Sequence, residues 1–66
     1  MKKYYIFRDN IYRTLGEIKS EVRLSVMIHG NADRYDGQEI SQYDDERNLL
    51  SVHYISVGRR GGVRFN

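Results

Sequence analysis

The segment Gly58-Arg-Arg-Gly-Gly-Val-Arg64 combines glycine and arginine in a pattern that suits phosphate chemistry. Glycine lets the backbone approach a phosphate closely, and arginine donates forked hydrogen bonds to phosphate oxygens and guanine edges. The segment is not a Walker A loop, because no Gly-Lys-Ser/Thr follows the glycines. The same residues also suit a plain hairpin turn with solvated arginines. Two interpretations therefore stay open here, a phosphate-contacting loop and a turn.

Groups for covalent or acid–base catalysis lack the arrangement that catalysis needs. No serine stands in a Gly-x-Ser-x-Gly elbow, and the chain has no cysteine to act as a nucleophile. The carboxylates of Asp44, Asp45 and Glu46 lie at a predicted hairpin tip and would all be solvated, whereas acid–base catalysis requires one of a pair to be buried. Their surroundings do not match the ligand order of an EF-hand either. We therefore expect a protein that is not an enzyme.

The two histidines, His29 and His53, are the candidates for metal binding. Both lie on predicted long strands, where they could meet across a sheet. They lack the local spacing of a zinc site, such as His-x-x-x-His. A histidine that is exposed or hydrogen-bonded on a strand is the more common situation. We expect no metal and no cofactor.

The 11 basic and 9 acidic residues are segregated along the chain. Residues 1–8 and 47–66 carry basic residues and no acid, whereas all nine acidic residues lie between these two segments. Six of the acids fall within residues 33–46. If the two ends of the chain lie side by side, they form one positive surface and the middle forms a negative one. Such a positive surface attracts a phosphate backbone, more strongly at low salt.

The elements that must position these residues belong to one small domain covering residues 1–66, since the chain shows no linker or repeat. A chain of this size buries only about 60% of its unfolded surface, and without cysteine no disulfide can reinforce it. Assembly into a homo-oligomer is one way of gaining stability. The longest apolar run, Tyr4 to Phe7, is too short to span a membrane. We therefore expect a cytoplasmic protein without a membrane partner.

Most of the chain has a strand-like pattern of aromatic, β-branched and alternating residues. The predicted strands include 3–8, 21–29, 49–57 and 63–65, with hairpin tips at 44–48 and 58–62. Ile11–Leu15 can return as the second strand of a first hairpin. Sequential hairpins without a long crossover predict a mainly β fold, a small antiparallel barrel or meander of about five strands.

The segment around Thr14 carries a competing helical signal. Thr14 and Glu17 form a capping-box pattern, in which the two side chains satisfy free backbone amides at a helix start. Apolar residues from Ile11 to Val26 also recur at helical spacing. These features predict a short helix near residues 14–20.

The following segment, 21–29, alternates apolar and polar residues as a half-buried strand does. On a helix, Leu24, Met27 and Ile28 would fall outside the apolar stripe. We therefore predict a strand over 21–29. The alternative is an α+β fold with a helix over 14–29 packed on an antiparallel sheet.

About half of the chain resembles a known family of small barrels. The residues that carry the likeness are Tyr35-Asp-Gly37, Ile40, Tyr43-Asp44, Leu50, Val52, Tyr54, Gly58 and Val63. Their order resembles the SH3-like barrels of the Tudor type, whose aromatic cage for methylated side chains Tyr35 and Tyr43 would help to line. A looser resemblance, to the first Sm motif, rests on Gly30, Gly37, Tyr43-Asp44 and Asn48-Leu49. Both likenesses imply a fold rather than a function.

These observations lead us to expect a small non-enzymatic protein that binds nucleic acid through electrostatic contacts to phosphates, with little sequence readout. The basic surface would include both chain ends, and two aromatic side chains beside it would stack on bases. The predicted binding residues are Lys2, Lys3, Arg59, Arg60, Arg64, Tyr54 and Phe65.

The alternative function is a protein-binding module or inhibitor, of the kind found among small phage or plasmid regulators. It would engage a basic partner protein through a strand edge or through the acidic segment 33–46. The residues predicted for this role are Asp33, Asp36, Glu39, Asp44, Asp45 and Glu46.

Overall fold

A computed structural model describes residues 3–66, which form one five-stranded antiparallel sheet with two helices. The elements in chain order are β1 (Lys3–Phe7), β2 (Asn10–Tyr12), α1 (Leu15–His29), α2 (Ala32–Tyr35), β3 (Glu39–Asp44), β4 (Leu49–Val57) and β5 (Val63–Phe65). The strand order is β2-β1-β3-β4-β5. More residues lie in strands than in helices, so the prediction of a mainly β fold with five antiparallel strands is confirmed.

The helix α1 is longer than the predicted short helix, and the predicted strand over 21–29 is wrong. The start of α1 is the predicted one, because the Thr14 Oγ1 accepts a hydrogen bond from the Glu17 amide at 3.2 Å. The Glu17 carboxylate in turn accepts from the Arg13 amide at 3.4 Å. The helix ends at Gly30, whose φ of 61° is the left-handed conformation that terminates helices. The helix bounds of the alternative prediction, 14–29, agree with those of α1, although the fold is mainly β as predicted.

The buried side of α1 explains why residues 21–29 form a helix although apolar and polar residues alternate there. Ile18 and Val22 are fully buried against the sheet. Leu24, Met27 and Ile28, which do not fit the apolar stripe, are all more than half exposed. The helix is therefore stabilised by one narrow buried edge, and its other apolar residues produce the misleading alternation.

The register of the strands divides their side chains between two faces. One face is covered by α1 and α2, and its core consists of Phe7, Ile40, Ile55 and Val63 together with Ile18, Val22 and Tyr35 from the helices. The other face, which we call the open face, is not covered by either helix of residues 3–66. The cross-strand pairs Tyr4–Tyr43 and Ile6–Ile11 belong to it.

Tight turns connect the strands and set the register. Arg8 and Asp9 both have positive φ, 52° and 65°, as the two central residues of a type I′ hairpin turn do. In the β3–β4 turn, the Asp44 carboxylate accepts hydrogen bonds from the amides of Glu46 and Asn48, both at 2.9 Å. The backbone conformation of the first turn and the local hydrogen bonds of the second hold the two hairpins closed.

Candidate functional site

Five basic side chains line one groove at the β5 edge of the sheet, between α1 and the β4–β5 turn. The groove has a volume of about 630 Å³, and its basic residues are Lys19, Arg23, Arg59, Arg60 and Arg64. We call it the cationic groove. Among residues 3–66, no acidic side chain lines it. Anions are therefore the ligands that its charge favours.

Two of these cations lie on α1, directly beside its buried residues. Lys19 and Arg23 are four residues apart and so lie on the same side of α1. Each directly follows a buried residue, Ile18 or Val22, and α1 packs against β5. The two basic side chains are therefore held at the border between the packed helix and the edge strand.

The β4–β5 turn supplies Arg59 and Arg60, and its backbone is held by internal hydrogen bonds. The Gly58 amide donates to the Gly62 carbonyl at 2.8 Å, and the Gly61 amide donates to the Gly58 carbonyl at 3.0 Å. Gly61 has a φ of 81°, a backbone conformation that residues other than glycine rarely adopt. These two amides are used within the turn and are therefore not available to a phosphate. Arg59 and Arg60 are exposed, so the groove offers side-chain contacts to an anion.

Lys3 and the arginines of the C-terminal segment do not form one positive surface. Lys2 lies outside the described residues. Lys3 on β1 lies opposite Asp44 on β3 in the strand register, at one end of the sheet. Arg59 and Arg60 follow β4 at the other end. A strand of 9 residues separates the two ends by roughly 27 Å. Lys3 is therefore remote from the arginines with which it was grouped.

The two predicted stacking residues also lie apart. Phe65 points to the helix-covered face and packs against the buried core, so its ring is part of the structure. Tyr54 is 44% exposed. It precedes the buried Ile55 on β4 and so projects from the open face. They do not form a common stacking surface beside the groove.

The acidic residues proposed for a protein partner fall into two groups at opposite ends of β3. Asp33, Asp36 and Glu39 lie at its start, and the Asp36 carboxylate accepts from the Val57 amide at 3.0 Å. Asp44, Asp45 and Glu46 lie at its end. The segment 33–46 therefore does not present one acidic surface.

Asp44 itself serves the turn. The residue is only 9% exposed, and its carboxylate accepts a hydrogen bond from the Asn48 backbone amide at 2.9 Å. This bond, with those from the Asn48 side chain and the Glu46 amide, lowers the pKa of the carboxyl below its usual 3.8. The residue is thus a structural anion rather than a free one.

The two histidines do not meet. His29 is exposed in the last turn of α1, while His53 lies on β4 with its Nε2 at 3.1 Å from the Ser51 Oγ. In the part of the chain that is described, no three His, Cys, Asp or Glu side chains are placed to hold a metal ion. Neither helix within residues 3–66 is long and apolar enough to cross a membrane.

Tyr35 and Tyr43 cannot line a common aromatic cage. Tyr35 is buried in α2, where its ring lies 6.2 Å from the Phe7 ring and its hydroxyl donates to the Ser25 Oγ at 3.1 Å. Tyr43 stacks on Tyr4 on the open face. The sheet separates the two tyrosines.

Sequence reasoning missed Lys19 and Arg23. Their spacing of four residues, each next to a residue of the buried stripe, is the signal that identifies them once α1 is treated as a helix. Because residues 21–29 were predicted to form a strand, this helical spacing was not recognised for Arg23.

Comparisons with known proteins add no relative to this description: no family model, no curated protein and no solved structure matches the chain.

Proposed function

We propose that this protein binds nucleic acid without catalysing a reaction, and that the cationic groove is its contact surface for phosphates. The observation that carries the proposal is the set of five cations from α1, the β4–β5 turn and β5 around one groove, with no acidic side chain among the described residues that line it. Three of them, Arg59, Arg60 and Arg64, are the arginines expected from the sequence to contact phosphates. Lys19 and Arg23 take the place of the remote Lys3.

The mechanism is neutralisation of phosphates with release of the counterions that surround them. The five side chains are exposed, so water and salt screen each charge when no ligand is bound. A phosphate backbone brings several negative charges at once, and each contact releases counterions into the solution. The logarithm of the affinity should therefore fall linearly with the logarithm of the salt concentration. Contacts of this type fix position on the backbone and carry little sequence information.

Arginine is suited to this role because its planar guanidinium can donate two parallel hydrogen bonds to one phosphate. Four of the five groove cations are arginines. The Gly58 and Gly61 amides are used within the turn, so we assign the affinity to these side chains. Side-chain substitutions should then remove binding without altering the turn.

The test is binding of random-sequence duplex and single-stranded oligonucleotides over a range of salt concentrations. For duplex DNA, each lost phosphate contact should reduce the slope of log affinity against log salt by about 1. Arg60→Ala should lower the slope by that amount, and the double variant Arg59→Ala/Arg60→Ala by about twice as much.

Arg34→Ala is the matched control, since it removes one exposed positive charge from α2, outside the groove. It should leave the slope unchanged. Absence of binding at low salt, or equal losses in Arg34→Ala and Arg60→Ala, would overturn the proposal. The first outcome would favour a protein partner, which a pull-down from nuclease-treated lysate would then identify.

A further inference from the structure

A second concave surface lies on the open face, over β2, β1 and β3. Its volume is about 1030 Å³. The floor consists of Tyr4, Ile6, Ile11 and Tyr43. We call this surface the tyrosine hollow.

The strand register explains why this floor is apolar and flat. Tyr4 is opposite Tyr43, and Ile6 is opposite Ile11, so all four side chains project to the face away from α1. The two tyrosine rings are stacked, with centroids 5.6 Å apart and planes 18° from parallel. The hollow therefore presents aromatic and aliphatic surface in a defined arrangement.

The hollow has no cover within residues 3–66. Ile11 is 72% exposed, although isoleucine is one of the residue types most often buried in proteins. A contiguous exposed apolar patch on a small protein commonly marks a binding surface. An occupant with apolar, flat surface would remove this area from water.

The rim of the hollow indicates the charge of that occupant. Lys3, Arg13 and Arg47 border it, against one carboxylate, Asp45. A ligand that combines flat apolar surface with negative charge is complementary to both the floor and the rim. A second copy of this chain is not, because a symmetric contact would bring the same excess of positive charge against itself.

We infer that the tyrosine hollow binds unpaired bases of a single-stranded nucleic acid, with Tyr4 and Tyr43 as the stacking platform and the rim cations beside the phosphates. This inference rests on the proposed function and adds to it a contact that only single strands can make. Every base has an aromatic face, so stacking of this kind tolerates any sequence. In a duplex the bases are already stacked and paired, and their faces are not accessible to the hollow.

The experiment compares a short fluorescent oligothymidylate with a random-sequence duplex of the same length. Tyr43→Leu keeps apolar bulk but removes the ring, and should weaken single-strand binding about tenfold while leaving duplex binding unchanged. Tyr54→Leu is the matched control, since Tyr54 is an exposed tyrosine of the same face that does not line the hollow. It should leave single-strand binding unchanged.

A second variant guards against misfolding of Tyr43→Leu. Arg13→Ala changes only the rim, where the side chain is exposed, and should also weaken single-strand binding. Circular dichroism of each variant establishes that it is folded.

The outcomes separate this inference from the proposed function. If the unmodified protein binds neither probe at low salt, both fail. If it binds both probes and Tyr43→Leu has the same single-strand affinity, the inference fails and the proposed function stands. The inference is also overturned if Tyr54→Leu weakens binding equally, or if the protein is a dimer that Tyr43→Leu dissociates, since a second copy would then fill the hollow.

Discussion

Arg23 on α1 and Arg59 in the β4–β5 turn line the same groove, although one belongs to the helix and the other to the last hairpin. The packing of α1 against β5 brings them together. The positive surface of the protein is thus a product of tertiary structure, and it joins charges from two separate parts of the sequence.

Arg23→Ala should therefore weaken nucleic-acid binding in the same way as Arg60→Ala. We expect a reduction of about 1 in the salt slope for duplex DNA, because one phosphate contact is lost. Arg23 is exposed, so the variant should keep its thermal midpoint. An unchanged slope in Arg23→Ala, with a reduced slope in Arg60→Ala, would show that the groove does not act as one surface.

The sequence predicted the strands and turns that depend on local chemistry. The bounds predicted for β4 and β5, 49–57 and 63–65, are those of the structure, because β-branched and aromatic residues stand between clear turn signals. The helix α1 was only partly predicted. Its exposed apolar residues imitate a strand, and burial, which decides between the two, depends on the rest of the fold.

The candidate site shows the same division. Arg59, Arg60 and Arg64 were identified because glycines and arginines cluster in one turn. Lys3 was assigned to the same surface because sequence does not show that β1 is inserted beside β3, with its start next to Asp44. Strand order is a long-range property, and it decides which charges become neighbours.

The buried edge of α1 should dominate the stability of the helix. Ile18 is fully buried and Leu24 is 56% exposed. Ile18→Ala should therefore lower the free energy of unfolding by about 2–5 kcal/mol, and Leu24→Ala by no more than about 0.5 kcal/mol. Urea denaturation followed by circular dichroism measures both. Similar losses in the two variants would contradict the assignment of the buried side.

Asp44 should make the stability of the protein depend on acid pH. Hydrogen bonds, first from the Asn48 amide, lower the pKa of the folded carboxyl below 3.8, so the ionised form stabilises the fold. This contribution is complete well above pH 3.8 and is lost as the pH falls through the lowered pKa of the folded state. Thermal unfolding of Asp44→Asn should show a smaller decrease over this acid range. Parallel curves for the two proteins would refute the prediction.

Tyr12 should have the opposite dependence, at alkaline pH. Burial first, and then a hydrogen bond donated by its hydroxyl to the Glu21 carboxylate, raise its pKa from 10.0 to about 12. The protonated phenol therefore stabilises the fold fully below pH 10 and loses this effect as the pH rises towards 12. Tyr12→Phe removes the ionisable group, so its stability should change less over that range, as alkaline unfolding measurements can show. Absorbance titration of the folded protein should show that Tyr12 ionises near pH 12 rather than near pH 10. A titration in which no tyrosine ionises near pH 12 would contradict the raised pKa.

The pairing of β1 with β3 has a consequence for how the chain folds during synthesis. Residues such as Ile6 and Ser41 are neighbours in the centre of the sheet, yet β2, α1 and α2 lie between them in the chain. When the first hairpin leaves the ribosome, its partner strand β3 has not yet been translated. The apolar surface of β1 therefore stays exposed until β3 is synthesised. The three-stranded unit β3–β4–β5 has only short connections and can form rapidly. We expect the central β1–β3 seam to be the slow, late step, and the nascent first half to be the stage most exposed to aggregation.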